Sequence, residues 1–137
     1  VEYVDMFPTL CELTDHTGPD YLEGLSLAPL LARPGRPWKS AAFSQYDRWG
    51  KKPVFMGKSM RTDRYRYTEW RRTEHAETAD TEYLRGPEGS IHSRELYDHQ
   101  IDPHESKNLA GVSEHKQTVE ALSKKLAAGW RAALPTG

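Results

Sequence analysis

Cysteine occurs once in this chain, at Cys11, which excludes an internal disulfide framework and a multi-cysteine zinc site. Long apolar runs are missing too. The longest apolar stretches, around Val4–Leu13 and Leu25–Leu31, fall short of the about eighteen residues a membrane-spanning helix needs. The sequence has no Gly-rich phosphate loop, no G-x-S-x-G elbow and no H-E-x-x-H pair, which removes three common catalytic frameworks. Repeats and low-complexity tracts are absent as well. No charged-then-apolar leader precedes the first residue, Val1, so a targeting segment would lie outside these 137 residues. A truncated or processed product is the expectation.

What is present is a chain long enough for one domain, 28% charged and 36% hydrophobic, with a mean hydropathy of −0.81. Four Trp and seven Tyr speak against wholesale disorder. The net charge of −1 hides an asymmetry. Between Arg48 and Arg72 nine bases face only Asp63 and Glu69, a local charge of +7 that leaves −8 for the remainder. Such a segment points either to an anionic partner or to a solvated strand face.

Periodicity divides the chain. Val4, Phe7, Leu10 and Leu13 recur at helical spacing, with Asp5 as a cap and Pro8 in the first turn. Ser26 is placed to cap a second short helix over Leu27–Leu31, which the Pro34-Gly35-Arg36-Pro37 stretch stops. Strands follow at Ala41–Tyr46, Val54–Arg61, Tyr65–Trp70 and Arg94–His99, with a hairpin turn at Thr62-Asp63-Arg64 and a long loop over Arg71–His92. Alternation sends Tyr65 and Tyr67 to one face and Arg64, Arg66 and Thr68 to the other. Ser113 is placed to cap a helix reaching about Leu134, with Val119, Leu122, Leu126, Trp130 and Ala133 as one apolar stripe. The expected architecture is α+β: a small antiparallel β-sheet packed against a C-terminal amphipathic helix, preceded by two short helices.

Few residues suggest chemistry. Cys11 lies within an apolar helix and reads as a buried small hydrophobe rather than a nucleophile. Asp98, His99, Asp102, His104 and Glu105 form the one ligand-rich cluster, readable as a metal site or, more simply, as a solvated polar turn. Arg64-Tyr65-Arg66-Tyr67 invites a nucleic-acid reading. A stacking platform needs aromatic and basic groups on one face, however, and alternation separates them.

Several stretches in order resemble the sulfatase family, the formylglycine-dependent enzymes of the alkaline-phosphatase-like superfamily. Val4-Asp5-Met6-Phe7-Pro8-Thr9-Leu10, followed by Leu22-Glu23-Gly24-Leu25-Ser26-Leu27, resembles the D-x-x-P-T-L and L-x-G-x-S-L elements that leave the catalytic domain. Ser44-Gln45-Tyr46, Met56-Gly57-Lys58-Ser59-Met60-Arg61-Thr62 and Tyr65-Arg66-Tyr67-Thr68-Glu69-Trp70 look like the iduronate-2-sulfatase-like branch. Glu95-Leu96-Tyr97-Asp98, Asp102-Pro103-His104-Glu105 and Asn108-Leu109 resemble the family's C-terminal ELYD…DPxE…NL element.

The resemblance implies a small C-terminal subdomain with a four-stranded antiparallel sheet and a packed helix, in agreement with the independent reading. It divides the chain into residues 1–38, the end of a catalytic-domain helix and a linker, and residues 39–137, the subdomain. The family nucleophile is a formylglycine made from a C/S-x-P-x-R motif, working beside a bound calcium. Cys11 is followed by Glu-Leu-Thr-Asp and does not match, so both groups are expected in the full-length enzyme and not in this stretch. No catalytic or metal residue is assigned here. This part would serve structure and substrate recognition, with Arg48, Trp49, Lys51 and Lys52 as substrate-binding residues at the pocket mouth and Tyr46 as a packing residue. Asp47 stands where the branch has proline. The implied partners are the protein's own catalytic domain and a sulfated carbohydrate or other sulfate ester, with neither nucleic acid nor membrane. The family's habit is periplasmic, secreted or lysosomal. The alternative is a non-catalytic anion- or glycan-binding module.

Overall fold

Apolar side chains at alternate positions put Phe43, Met60, Tyr65, Tyr67 and Leu96 on one face of a sheet, and this face becomes the core. The computed structural model describes residues 1–48, 54–73 and 91–135. Within them β1 (Ala42–Arg48), β2 (Val54–Arg61), β3 (Tyr65–Thr73) and β4 (Ile91–Asp98) form one antiparallel sheet in the order β1-β2-β3-β4. Phe43, Met60, Tyr67 and Leu96 lie in one cross-strand row, of which Met60, Tyr67 and Leu96 are at most 1% exposed. The β2–β3 turn closes as its residue types suggest. The Thr62 amide donates to the Tyr65 carbonyl at 2.9 Å, and the Thr62 hydroxyl accepts the Tyr65 amide at 2.9 Å. β1, β3 and β4 run past the ends that the spacing indicated: residues 71–73 and 91–92, expected in a loop, pair as strand, and residues 74–90 of that expected loop lie outside the described residues.

Helix α3 (Lys116–Ala128) covers the core face, with Val119 and Leu122 buried and Leu126 packed at the edge. The single helix expected to run from Ser113 to about Leu134 is broken at both ends. Ser113–His115 forms a 3-10 turn in which the Ser113 hydroxyl donates to Glu114 instead of capping. At the other end Gly129 adopts φ +78°, a left-handed conformation that stops the helix before a second 3-10 turn, Trp130–Ala133. Ala133 still reaches the core, at 2% exposure, and its carbonyl accepts the Ser40 amide.

One buried carboxylate organises this face. Glu69 accepts the Tyr67 hydroxyl at 2.9 Å, the Ser123 hydroxyl of α3 at 2.6 Å and an Arg71 guanidinium N–H at 2.6 Å. Burial alone would raise its pKa, but these three donors outweigh that and hold it below the usual carboxylate range. Burial and the neighbouring Glu69 push the Tyr67 phenol the other way, up to about 12.

The N-terminal stretch adds a 3-10 turn (Tyr3–Asp5), α1 (Met6–Leu13) and α2 (Ala28–Ala32). Asp5 holds the N-cap position of α1 but makes no side-chain cap hydrogen bond; its carboxylate turns inward and is fully buried. Ser26 accepts the Ala28 amide at 3.2 Å, although Leu27 holds the cap position. The stripe of Val4, Phe7, Leu10 and Leu13 faces outward, each residue 52–58% exposed. Cys11 is only half-buried.

Two outcomes follow from this packing. Leu122→Ala should cost about 2–5 kcal/mol in chemical denaturation, and a loss well under about 1 kcal/mol would remove Leu122 from the core. The raised Tyr67 pKa makes its contribution to stability complete below about pH 10, the unfolded value, and progressively lost as pH climbs toward 12. Tyr67→Phe should flatten the alkaline limb of a stability-versus-pH curve. An unchanged slope between pH 10 and 12 would contradict this.

Candidate functional site

Part of the charge asymmetry along the chain is answered in space. Arg64 makes a bidentate contact with Asp98 (2.5–3.0 Å), Arg66 pairs with Glu105, and Arg71 meets Glu69. Three bases of β3 and its turn are therefore answered by acids that the hairpin, β4 and the following loop bring alongside.

The same pairs account for the ligand-rich cluster. Asp98 is fully buried rather than solvated, and the hydrogen bond from Arg64 holds its pKa below the ordinary range. The His99 ring meets Glu105 at 2.6 Å, and Asp102 accepts Ser106 and the Lys107 amide at 3.0 Å. Asn108 completes the turn by accepting the Leu96 and Ala110 amides and donating to the Arg94 carbonyl. These residues tie the end of β4 to the following loop. Among the described residues no three His, Cys, Asp or Glu side chains converge on a point that would hold a metal ion. Cys11 also lies outside the sequence context that formylglycine formation requires. The residues described here therefore do not fit the family's calcium or its modified nucleophile.

Of the four expected substrate-binding residues, Trp49, Lys51 and Lys52 lie outside the described residues. Arg48 is described, at the C-terminal end of β1 on the sheet face away from α3. Its guanidinium carbon lies 3.8 Å from the centroid of the Trp70 ring, well within cation–π range. The Trp70 indole N–H donates to Glu95 at 2.9 Å, and that same carboxylate oxygen stands 3.9 Å from Arg48. The backbone makes room for this stack. Gly57 pairs with Trp70 across β2–β3, and a Cβ at Gly57 would come within 2.7–2.8 Å of the six-membered ring. Trp70 is thus 7% exposed, pressed over Gly57, while the Arg48 side chain above it stays 61% exposed. Tyr46, expected to pack, instead stands two residues from Arg48 on the same strand face and is 70% exposed. Sequence reading missed Trp70, Gly57 and Glu95 because they meet Arg48 only through the register of all four strands.

Comparison with known proteins agrees with this architecture. Residues of this chain are 33% identical over 110 positions to the Delta 4,5-hexuronate-2-O-sulfatase of Bacteroides thetaiotaomicron, covering 78% of the chain and 19% of that protein. The chain is related to the C-terminal portion of sulfatases. The solved structure of the 2-O GAG sulfatase BT1596 superposes with a TM-score of 0.65 at 28% identity, over 90% of this chain and 23% of that one. A second solved structure, BT4656 in complex with its substrate D-glucosamine-2-N,6-O-disulfate, has the same fold at TM-score 0.57 and 22% identity, over 91% of this chain and 24% of that one. No family model matches. The chain thus spans about a fifth to a quarter of the length of these sulfatases, and its sheet and C-terminal helix correspond to their C-terminal regions.

The contact between Gly57 and Trp70 generates a direct test. Gly57→Ala should destabilise the protein by about 1–3 kcal/mol, the usual cost of forcing atoms into a filled space. The same substitution in a Trp70→Leu background should cost far less, because the clash is with the ring. Additive losses in chemical denaturation would show that Gly57 has some other role.

Proposed function

We propose that this chain is the C-terminal portion of a sulfatase that hydrolyses sulfate esters of a sulfated carbohydrate, with a 2-O-sulfated hexuronate of glycosaminoglycan as the substrate class. The observation that carries the reading is the 33% identity over 110 residues to a hexuronate-2-O-sulfatase, together with the fold shared with a 2-O-sulfatase at 28% identity. The nucleophile and the calcium ligands belong to the remainder of the protein, because attack on sulfur in this family needs a nucleophile activated beside a cation. This portion supports the fold and lines the substrate pocket. Residues 1–38 form its junction with the catalytic region and residues 39–137 its subdomain.

Two features support that division of labour. The outward face of α1, with Val4, Phe7, Leu10 and Leu13, is an apolar stripe that suits burial against the protein's own catalytic region. Arg48 is followed in sequence by Trp49, Lys51 and Lys52, residue types that meet sulfate and carboxylate groups as bidentate or point-charge donors and a sugar face as an apolar surface.

The reading frame upstream of the Val1 codon tests this. It should continue into a segment holding C/S-x-P-x-R and paired aspartates. The complete product should release inorganic sulfate from a 2-O-sulfated unsaturated hexuronate disaccharide, and Ala at the motif's Cys or Ser should abolish release. A stop directly upstream, or a complete product that frees no sulfate from any sulfated sugar, would overturn the sulfatase reading.

A further inference from the structure

The face of the sheet away from α3 joins Arg48 to Tyr46, Trp70 and Glu95, none of which the sequence pattern had linked to it. Tyr46 and Arg48 are alternate residues of β1, so their side chains emerge on one face about 7 Å apart along the strand. Tyr46 is 70% exposed and Arg48 61% exposed in its side chain. An exposed arginine ordinarily samples many rotamers, but this one is held from below. Trp70 supplies a stacking surface at 3.8 Å, Glu95 attracts the guanidinium from 3.9 Å, and Glu95 is itself fixed by the Trp70 indole N–H at 2.9 Å.

The Glu95 contact is too long for a hydrogen bond. Glu95 therefore orients the guanidinium without occupying its donors, and no described residue takes a hydrogen bond from Arg48. Gly57 pairs with Tyr46 on one side and Trp70 on the other, and its missing side chain lets the Trp70 ring lie close to the backbone between them. A pre-oriented guanidinium with unused donors favours a planar or tetrahedral oxyanion, and an exposed phenol ring beside it offers a flat apolar surface.

We propose that Tyr46 and Arg48 form a subsite for an acidic sugar. The pyranose ring lies against Tyr46, and its sulfate or carboxylate accepts hydrogen bonds from Arg48. Trp70 and Glu95 are positioning residues: they touch Arg48 rather than the sugar, and they reduce the rotamer freedom that Arg48 would lose on binding. The choice of a sulfated glycan as the source of the acidic sugar rests on the sulfatase reading. The subsite itself rests on the geometry of this face.

The Trp70 indole N–H provides a reporter inside the site. In 1H–15N spectra of the 137-residue chain, Trp70→Phe identifies its signal among the four tryptophans. Titration with a 2-O-sulfated unsaturated hexuronate disaccharide should shift that signal saturably. Tyr46→Ala and Arg48→Ala should each weaken binding about tenfold or more. Glu95→Leu should weaken it several-fold, while Glu95→Gln, which keeps an acceptor for the indole, should restore most of the affinity. Inorganic sulfate alone should compete weakly, and a neutral disaccharide should not bind.

A Trp70 signal that stays fixed to millimolar sugar in a well-dispersed spectrum would overturn the subsite, as would unchanged affinity in Tyr46→Ala or Arg48→Ala. If the chain self-associates through α1, the same variants are read in the complete reading-frame product. There the expectation is a raised KM with kcat preserved, and KM within about twofold of the parent would overturn the proposal. Sugar binding at Trp70 together with no sulfate release by the complete product would remove the sulfatase reading and leave the subsite standing. Sulfate release with no effect of either variant would do the reverse.

Discussion

Asp5 holds its carboxylate wholly out of water, so its charge has to be answered inside the protein, and three donors converge on it. The Lys39 ammonium approaches to 2.6 Å, and the amides of Leu25 and Glu2 donate at 2.9 and 3.1 Å. Burial alone would raise the Asp5 pKa, but Lys39 and the two amides outweigh that and bring it below the usual range, while Lys39 is raised in return. Lys39 also meets Glu2 at 2.8 Å, and Glu2 accepts the Phe43 amide at 2.7 Å. A single buried charge thereby fastens the first turn, the loop at Leu25 and the start of β1 to one another. Removing one partner of such a pair strands the other charge in a poorly solvating interior, which typically costs about 3–5 kcal/mol.

That constraint explains why two separated sequence elements belong together. Thr9 donates its hydroxyl to the Asp5 carbonyl and accepts the Leu27 amide at 2.8 Å, so the Asp and Thr of the first element bind the backbone of the second. Gly24 stands between them, where a Cβ would lie 1.9 Å from the Val4 carbonyl oxygen, and only glycine allows that approach. The inward turn of Asp5 has a further consequence. With the polar side of this stretch spent on the latch, the apolar side of α1 is left facing outward, the reverse of what helical periodicity suggests for a helix that packs on its own domain.

Sequence pattern was informative wherever a local period decides the structure. Tyr65 and Tyr67 alternate onto the core face, the hairpin falls at Thr62-Asp63-Arg64, and Val119 and Leu122 lie on the buried side of α3. It failed where the deciding partner is distant in sequence. The Ser113–Leu134 stripe continues through Gly129 without interruption, and only the left-handed backbone there shows that the helix has ended. Asp98 looks like one more turn carboxylate until Arg64, 34 residues away, is seen to enclose it. Tyr46 looks like packing until the strand register places it opposite a glycine, on the face that α3 does not cover. Arg64 and Arg66 could not be judged from their own neighbourhood, because the acids that answer them, Asp98 and Glu105, arrive with the following strand and loop.

The sheet separates two kinds of work between its faces. On the α3 side, Glu69 spends its acceptor capacity on Tyr67, Ser123 and Arg71, and so ties the sheet to the helix that covers it. On the other side, Trp70 and Glu95 satisfy one another and leave Arg48 oriented but unsaturated by described residues. The difference lies in what covers each face. A helix demands that every polar group beneath it be paired, since an unpaired buried donor costs about 1–3 kcal/mol. An uncovered face makes no such demand, so a guanidinium can be held there in readiness at little cost to stability. Arg48 sits at the end of β1, where the ladder to β2 still fixes the direction of its backbone. A cation so placed keeps its aim through Trp70 and Glu95 rather than through its own chain neighbours.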